Sequence, residues 1–169
     1  AKQADDAVDL IEDAFKADYQ KKNDGAGSPI EMSRRIQLSF DDHIVLHDRC
    51  ENLGVDYLCT AFDTESLKFL DERFNMPYFK IPSGEILSVD ILEYAASRNL
   101  PILLSTGMAT FDEIDFALGV LEKHGPQDIT ILHCISNYPA PFESINLNVM
   151  ENLRQTFNRA IGYSDHSLG

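Results

Sequence analysis

The feature that most constrains this chain is a repeat of short β-rich runs separated by longer amphipathic ones. The β-rich runs are VDYLCT (55–60), YFKI (78–81), PILLST (101–106), ITILHC (129–134) and AIGYS (160–164). Between them, apolar residues recur at helical spacing, as in Ile114, Leu118 and Leu121, or Leu67, Leu70 and Phe74. The strands are mostly continuous apolar stretches, the pattern of a parallel sheet covered on both faces. Alternation of this kind predicts an α/β fold.

Two architectures satisfy that pattern, an open doubly wound sheet and a (βα)8 barrel. No GxGxxG or Walker motif supports a nucleotide-binding open sheet. Polar residues instead recur where nearly every strand ends: Thr60; Lys80, Ser83 and Glu85; Ser105 and Thr106; His133 and Ser136; Ser164, Asp165 and His166. Contributions from many successive strand ends suit the mouth of a barrel. A full barrel typically takes about 250 residues. The chain has 169 residues and five clear strands, so residues 1–169 are expected to form a partial TIM-barrel domain.

Helix boundaries carry chemical marks. SPIE (28–31) and TFDE (110–113) are capping boxes, the first with Pro at the opening helical position. Ser39, Asp63 and Ser88 stand where further caps are expected. NLG (52–54) and KHGP (123–126) are stop signals. The first fifteen residues and the segments IEMSRRIQL and SFDDHIVLHDRCENLG read as helices, and KADYQKKNDGAGSP as a loop.

The formal net charge of −14 argues against general nucleic-acid binding, and an anionic substrate would have to be held by a local cationic site. No apolar run approaches the roughly 20 residues of a membrane span. The three cysteines, Cys50, Cys59 and Cys134, have no CxxC spacing and read as reduced thiols. With no signal-peptide pattern at the start, the expectation is a cytoplasmic protein.

Several strand ends can carry chemistry. Lys80 is either a surface lysine or a cation aimed into the barrel mouth to hold an anion. Ser83 and Gly84 would add a hydroxyl and exposed N–H groups suited to phosphate or carboxylate oxygens, with Glu85 beside them for a polyol or for proton transfer. STGM (105–108) is a second hydroxyl-and-glycine turn, and two such turns on neighbouring strands resemble an assembled phosphate site. In HCISNYPAP (133–141), His133 reads as a core histidine before a ligand, Tyr138 as core or as a stacking surface, and Cys134 as packing, since no basic neighbour in sequence activates it. YSDHS (163–167) is the best metal candidate, with Asp165 either orienting His166 or capping a helix. His43, His47 and His124 read as solvated. Residues alone thus point to a phosphorylated small molecule and a divalent metal.

FKIPSGEI, ILLSTGMAT, ILHCISNYPAPFESINLNVM and IGYSDHSLG, in this order, resemble the bacterial sialic acid synthases, with legionaminic and pseudaminic acid synthases as close relatives. The resemblance runs from KADYQKKN to the C-terminus. It implies a (βα)8 catalytic domain, usually followed by an antifreeze-like domain that is not present here. It implies condensation of phosphoenolpyruvate with an N-acetylated hexosamine such as N-acetylmannosamine, with release of phosphate. It also implies a divalent ion, commonly Mn2+ with Mg2+ or Co2+ as alternatives, and a homodimer of the full-length protein. By motif position, Thr60, Lys80, Ser83, Ser105, Ser136 and Ser164 would hold phosphoenolpyruvate, Glu85 and Tyr138 would face the sugar, and His166 would bind the metal. Lys80 and Glu85 are the expected catalytic pair.

The family's first strand with its glutamate, its second strand with another lysine, and its second metal histidine have no counterpart in this stretch. Residues 1–169 alone are therefore expected to leave open strand edges and to be inactive. Other readings stay open: a different phosphoenolpyruvate-dependent sugar-acid synthase or aldolase, or a non-catalytic sugar-phosphate binding module.

Overall fold

A computed structural model of the chain describes residues 16–124 and 128–169. The helix expected over residues 1–15, and the Gly125–Pro126 part of the expected helix stop, lie outside the described residues. The chain divides into two compact units, with the boundary between Leu58 and Cys59.

The first unit is helical: α1 (Asp18–Asp24), α2 (Pro29–Ile36) and α3 (Phe40–Leu53). The α2 start follows its capping box, with the Glu31 N–H donating to Ser28 Oγ and the Ser28 N–H to Glu31 Oε2. Ser39 and Asp42 repeat the exchange at α3, and Gly54 closes that helix in the left-handed region at φ 67°. Helix α1 corrects the expected loop. Few apolar residues mark it, but the Ala17 N–H donates to Gln20 Oε1 at 2.8 Å, the Gly25 N–H closes on the Lys21 carbonyl, and the buried Lys16 ammonium pairs with Asp24. Local polar bonds, which apolar periodicity does not register, define this turn.

The strand expected at 55–60 is a second correction. Its apolar residues straddle the boundary between the units, and among the described residues β1 pairs only with β2. Extended backbone without a ladder partner is not a strand.

The second unit holds the other four strands, each within a residue or so of its expected limits: β1 (Phe79–Ile81), β2 (Ile102–Ser105), β3 (Ile129–His133) and β4 (Ala160–Tyr163). They form one parallel sheet in the order β1-β2-β3-β4. Helices α4 (Thr64–Arg73), α5 (Val89–Ser97), α6 (Phe111–Glu122) and α7 (Asn148–Phe157) precede or connect the strands, with single 3-10 turns at Ser83–Glu85 and Phe142–Ser144. Spatial order equal to chain order leaves no switch point, which a doubly wound sheet requires. With right-handed crossovers, all connecting helices fall on one side. The unit is an arc of a (βα)8 barrel, not closed among the described residues.

Caps again mark the helices. Asp63 accepts the Ser66 N–H at α4, and Thr110 exchanges bonds with Glu113 at α6. Ser88 stands at the start of α5 as expected, but its hydroxyl donates to Glu85 instead of capping. Asp71 ties α4 to α5: the Tyr94 hydroxyl donates to it at 2.8 Å and Arg98 pairs with it at 2.7 Å.

Strand alternation sorts the sheet into two faces. Phe79, Ile81, Ile102, Leu104, Ile129 and Ile131 point one way and, with Leu92, Ala95, Ala117 and Leu121 of α5 and α6, make a core that water scarcely reaches. Each such large side chain contributes about 1.5–3 kcal/mol by burial. The other face carries the aligned residues Lys80, Leu103, Thr130 and Ala160, and above them Ser105, Leu132 and Gly162. A Cβ on Gly162 would stand 2.7 Å from a Leu132 methyl and 3.7 Å from the Thr130 methyl, which places all three together. This second face is the inner wall of the arc, and it leads to the strand ends where the polar residues gather.

Candidate active site

Lys80 stands in the middle of β1 on the inner wall and is half-buried. Among the described residues no carboxylate pairs with it. Burial pushes its ammonium below the usual lysine value, and the nearby Cys134 partly offsets that. A partly desolvated cation with no carboxylate partner among the described residues is a ready anion ligand.

The loops after β1, β2 and β3 meet at Gly107. A Cβ there would lie 2.5 Å from Ser83 Oγ and 2.7 Å from Ser136 Oγ, so two hydroxyls from different loops occupy the space a side chain would take. The residue is also left-handed, at φ 49°. Its position is fixed from below: the Thr106 N–H and hydroxyl both donate to the Leu132 carbonyl, at 3.0 and 3.1 Å, and the Gly107 N–H donates to Cys134 Sγ at 3.2 Å. Ser105, on the same wall as Lys80, is only 1% exposed, and its hydroxyl has no hydrogen-bond partner among the described residues. A buried hydroxyl left without a partner is costly unless a ligand or water completes it.

A second group forms around His166. Its Nδ1–H donates to the Ile135 carbonyl at 2.6 Å, which leaves the Nε2 lone pair as the outward one. The Ser164 hydroxyl reaches Nε2 only at 3.4 Å, and the Tyr138 ring stacks on the imidazole at 4.3 Å between centroids. The Ala140 N–H donates to the His166 carbonyl, and the Ser164 N–H to that of His133, so the loop after β3 is laced to the end of β4. Ile135 precedes Ser136, so one short loop serves both groups.

These are the residues that a metal at His166 would meet. The donor set fits: a neutral imidazole whose other nitrogen is anchored on a carbonyl is the usual state of a metal-binding histidine. Among the described residues, the group of three metal-competent side chains is elsewhere, at His47, Asp48 and Glu51 of α3, whose ligand atoms lie within 4.8 Å of one another.

Thus Ser83 and Ser136 meet at Gly107, Lys80 and Ser105 share the inner wall below, and Tyr138, Ser164 and His166 form a second group linked through the loop after β3. Glu85 and Thr60 stand apart in their bonding. Glu85 Oε2 accepts the Ser88 hydroxyl, and Oε1 has no partner among the described residues. Thr60 is half-buried, and its carbonyl takes the Cys59 thiol at 3.8 Å.

Other sequence expectations resolve clearly. His133 is 5% exposed and belongs to the helix-facing side, with its ring 5.7 Å from that of Tyr163. Burial pushes its pKa down, so it is a neutral core histidine. Asp165 does not orient His166. It accepts the Ser167 N–H and hydroxyl, and these bonds hold its carboxyl below the usual carboxylate range. His43 and His47 are not solvated side chains: both rings meet Tyr57, and His43 shares a hydrogen bond with its hydroxyl. Cys134 is the residue sequence reasoning passed over. Its sulfur accepts the Gly107 N–H at the point where Ser83 and Ser136 meet. Alternation from Thr130 and Leu132 to position 134 was the available signal.

A parallel βα arc with a half-buried lysine on its inner wall and clustered hydroxyls and an anchored imidazole at its strand ends defines a barrel-type protein with a polar rim. Comparison with known proteins gives the particular lineage. A family model described as the NeuB family matches residues 2–169, and the chain belongs to that family. It is 38% identical over 159 residues to the N,N'-diacetyllegionaminic acid synthase of Legionella pneumophila, covering 91% of this chain and 44% of that protein. It is 34% identical over 139 residues to the pseudaminic acid synthase of Helicobacter pylori, covering 82% and 41%. The N-acetylneuraminic acid synthetase of Leptospira borgpetersenii, solved with citrate, superposes at a TM-score of 0.77 with 27% identity over 99% of this chain and 58% of that one. The chain spans about half, or less, of the curated relatives it matches.

Proposed function

We propose that residues 1–169 are part of the catalytic barrel of a nonulosonic acid synthase, which condenses phosphoenolpyruvate with an N-acetylated hexosamine and releases phosphate. The observation that carries this reading is the meeting of Ser83 and Ser136 at Gly107, at the end of the inner wall that also carries Lys80. A small ligand with both phosphate and carboxylate matches that donor set. Membership of the NeuB family, whose relatives include legionaminic and pseudaminic acid synthases, supports the substrate class.

In this reading Lys80, Ser83, Ser105 and Ser136, with Thr60 and Ser164, hold the phosphate and carboxylate. They fix C3 of phosphoenolpyruvate toward the sugar's aldehyde carbon, so that binding energy is spent on orientation. The enol π electrons form the C3–C bond, the aldehyde oxygen takes a proton, water adds at C2 and loses a proton, and the C2–O bond to phosphate breaks. Ser105 gains the partner it lacks. Tyr138 packs against the sugar, and Glu85 offers its open carboxylate oxygen to a sugar hydroxyl or a moving proton. His166 holds a divalent ion, which we take to be Mn2+, and Ser164 and Tyr138 keep its ring in place. The ion, when bound, supplies Lewis-acid polarisation of the aldehyde oxygen. The protein is read as a cytoplasmic homodimer. Among the described residues no helix is long and apolar enough to cross a membrane.

The test is phosphate release by the full-length protein with phosphoenolpyruvate and N-acetylmannosamine or another 2-acetamido sugar, set against arabinose 5-phosphate. Release with acetamido sugars and Mn2+ is the expected result. Turnover with arabinose 5-phosphate alone, or none with any aldehyde, would overturn the reading.

A further inference from the structure

Cys134 follows the last residue of β3 and is 3% exposed. Alternation from Thr130 and Leu132 turns its side chain to the inner wall that carries Lys80. The Gly107 N–H donates to its sulfur at 3.2 Å, close for a sulfur acceptor. Thiols are weak acceptors, so a part-buried N–H given to one is an unusual arrangement. Here it falls on the one peptide around which two ligand hydroxyls converge. Thr106 is pinned to the Leu132 carbonyl, the Ala109 N–H closes a turn on the Thr106 carbonyl at 2.8 Å, and the sulfur takes the N–H of the left-handed Gly107 inside that turn. The Ser105 hydroxyl, buried on the same wall and lacking a partner among the described residues, marks where a ligand completes the group.

We propose that Cys134 is a positioning residue of the anion site, its sulfur holding the Gly107 peptide so that Ser83 and Ser136 converge beside Lys80. The inference rests on the phosphoenolpyruvate reading above. Cys134 touches no reacting atom and needs no change of oxidation state. It acts through the glycine, and substrate affinity is where the effect is felt.

The experiment is steady-state kinetics of C134A and C134S in the full-length protein. C134A leaves a part-buried N–H without its acceptor next to the anion loops, and KM for phosphoenolpyruvate should rise about tenfold. Its kcat and the KM for the amino sugar should stay within about twofold, because only the anion loops are disturbed. C134S keeps an acceptor and should return KM for phosphoenolpyruvate to within about threefold of the wild type. Unchanged KM for phosphoenolpyruvate in C134A, or a loss of thermal stability with no KM effect, reduces Cys134 to packing and overturns the proposal. Should C134A not fold, hydrogen exchange in the wild type decides: a protected Gly107 amide supports the sulfur contact and rapid exchange refutes it. A wild type that does not use phosphoenolpyruvate removes the functional reading and this inference with it. A wild type that does, with C134A unaffected, removes the inference alone.

Discussion

Ser83 and Ser136, from loops after different strands, point their hydroxyls at one place: the empty Cβ position of Gly107, 2.5 and 2.7 Å away respectively. Glycine is therefore required at 107 by space as well as by its positive φ. Gly107→Ala should push both hydroxyls aside, and strain at a left-handed position adds on the order of 1 kcal/mol. In the full-length protein, KM for phosphoenolpyruvate is expected to rise at least about tenfold, while far-UV circular dichroism stays native, because the change is confined to a strand-end turn. An alanine variant with wild-type KM would show that the two hydroxyls do not act together on the ligand.

Lys80 carries a prediction in each direction. Lys80→Met removes a charge-assisted contact worth about 1.5–3 kcal/mol, so KM for phosphoenolpyruvate should rise roughly ten- to hundredfold. The same change removes a half-buried, unpaired ammonium, so the variant should be more stable than wild type at neutral pH. The sign follows from linkage. The folded-state pKa of Lys80 lies below the ordinary value of 10.5, so the unfolded chain binds the proton more tightly. The destabilisation is fully present below the folded pKa and is relieved as pH rises toward 10.5. Denaturation midpoints of wild type and variant should therefore converge with rising alkalinity, and a gap that widens instead would contradict the burial account.

Much of the scaffold was legible because the signals are local. The caps at Ser28, Ser39, Asp63 and Thr110 rest on side chains and N–H groups three residues apart, and the four strands on continuous apolar runs. The site residues sat at strand ends, where parallel topology gathers them. What escaped depends on partners distant in sequence. Residues 55–60 have strand composition but no ladder. Helix α1 rests on a Lys16–Asp24 pair and a glutamine contact rather than an apolar stripe. Cys134 looked inert because its hydrogen-bond partner, the Gly107 N–H, comes from the loop after β2, twenty-seven residues away in sequence.

Asp71 is the scaffold residue whose loss should be felt most directly. Its carboxylate takes the Tyr94 hydroxyl and the Arg98 guanidinium, joining α4 to α5 behind β1. Burial, then the Asp71 bond, pushes the Tyr94 hydroxyl up to about 12, so it stays a donor throughout the physiological range. Asp71→Ala strands both donors and should cost about 1–3 kcal/mol, read as a lower thermal midpoint. KM for phosphoenolpyruvate should be unchanged, since neither partner belongs to the anion loops. A change in KM without a change in midpoint would reverse that assignment.

His166 and His47 offer a direct contrast between two candidate metal positions. His166 is one imidazole, anchored through Nδ1 on Ile135 and stacked by Tyr138, with Nε2 left for a ligand. His47, half-buried against Tyr57, stands with the exposed Asp48 and Glu51 on α3, and exposed acidic groups are common without any ion. Fixing the second nitrogen of a ligand histidine is worth about ten- to hundredfold in metal affinity, so removal of the ligand itself should cost at least that. Mn2+ titration of the full-length protein should therefore be weakened at least about tenfold in His166→Ala, with activity lost in parallel and partly restored by excess Mn2+. His47→Ala should leave both affinity and activity near wild type. If the ranking is reversed, the catalytic ion belongs to α3, and the strand-end imidazole serves only to brace the loop after β3.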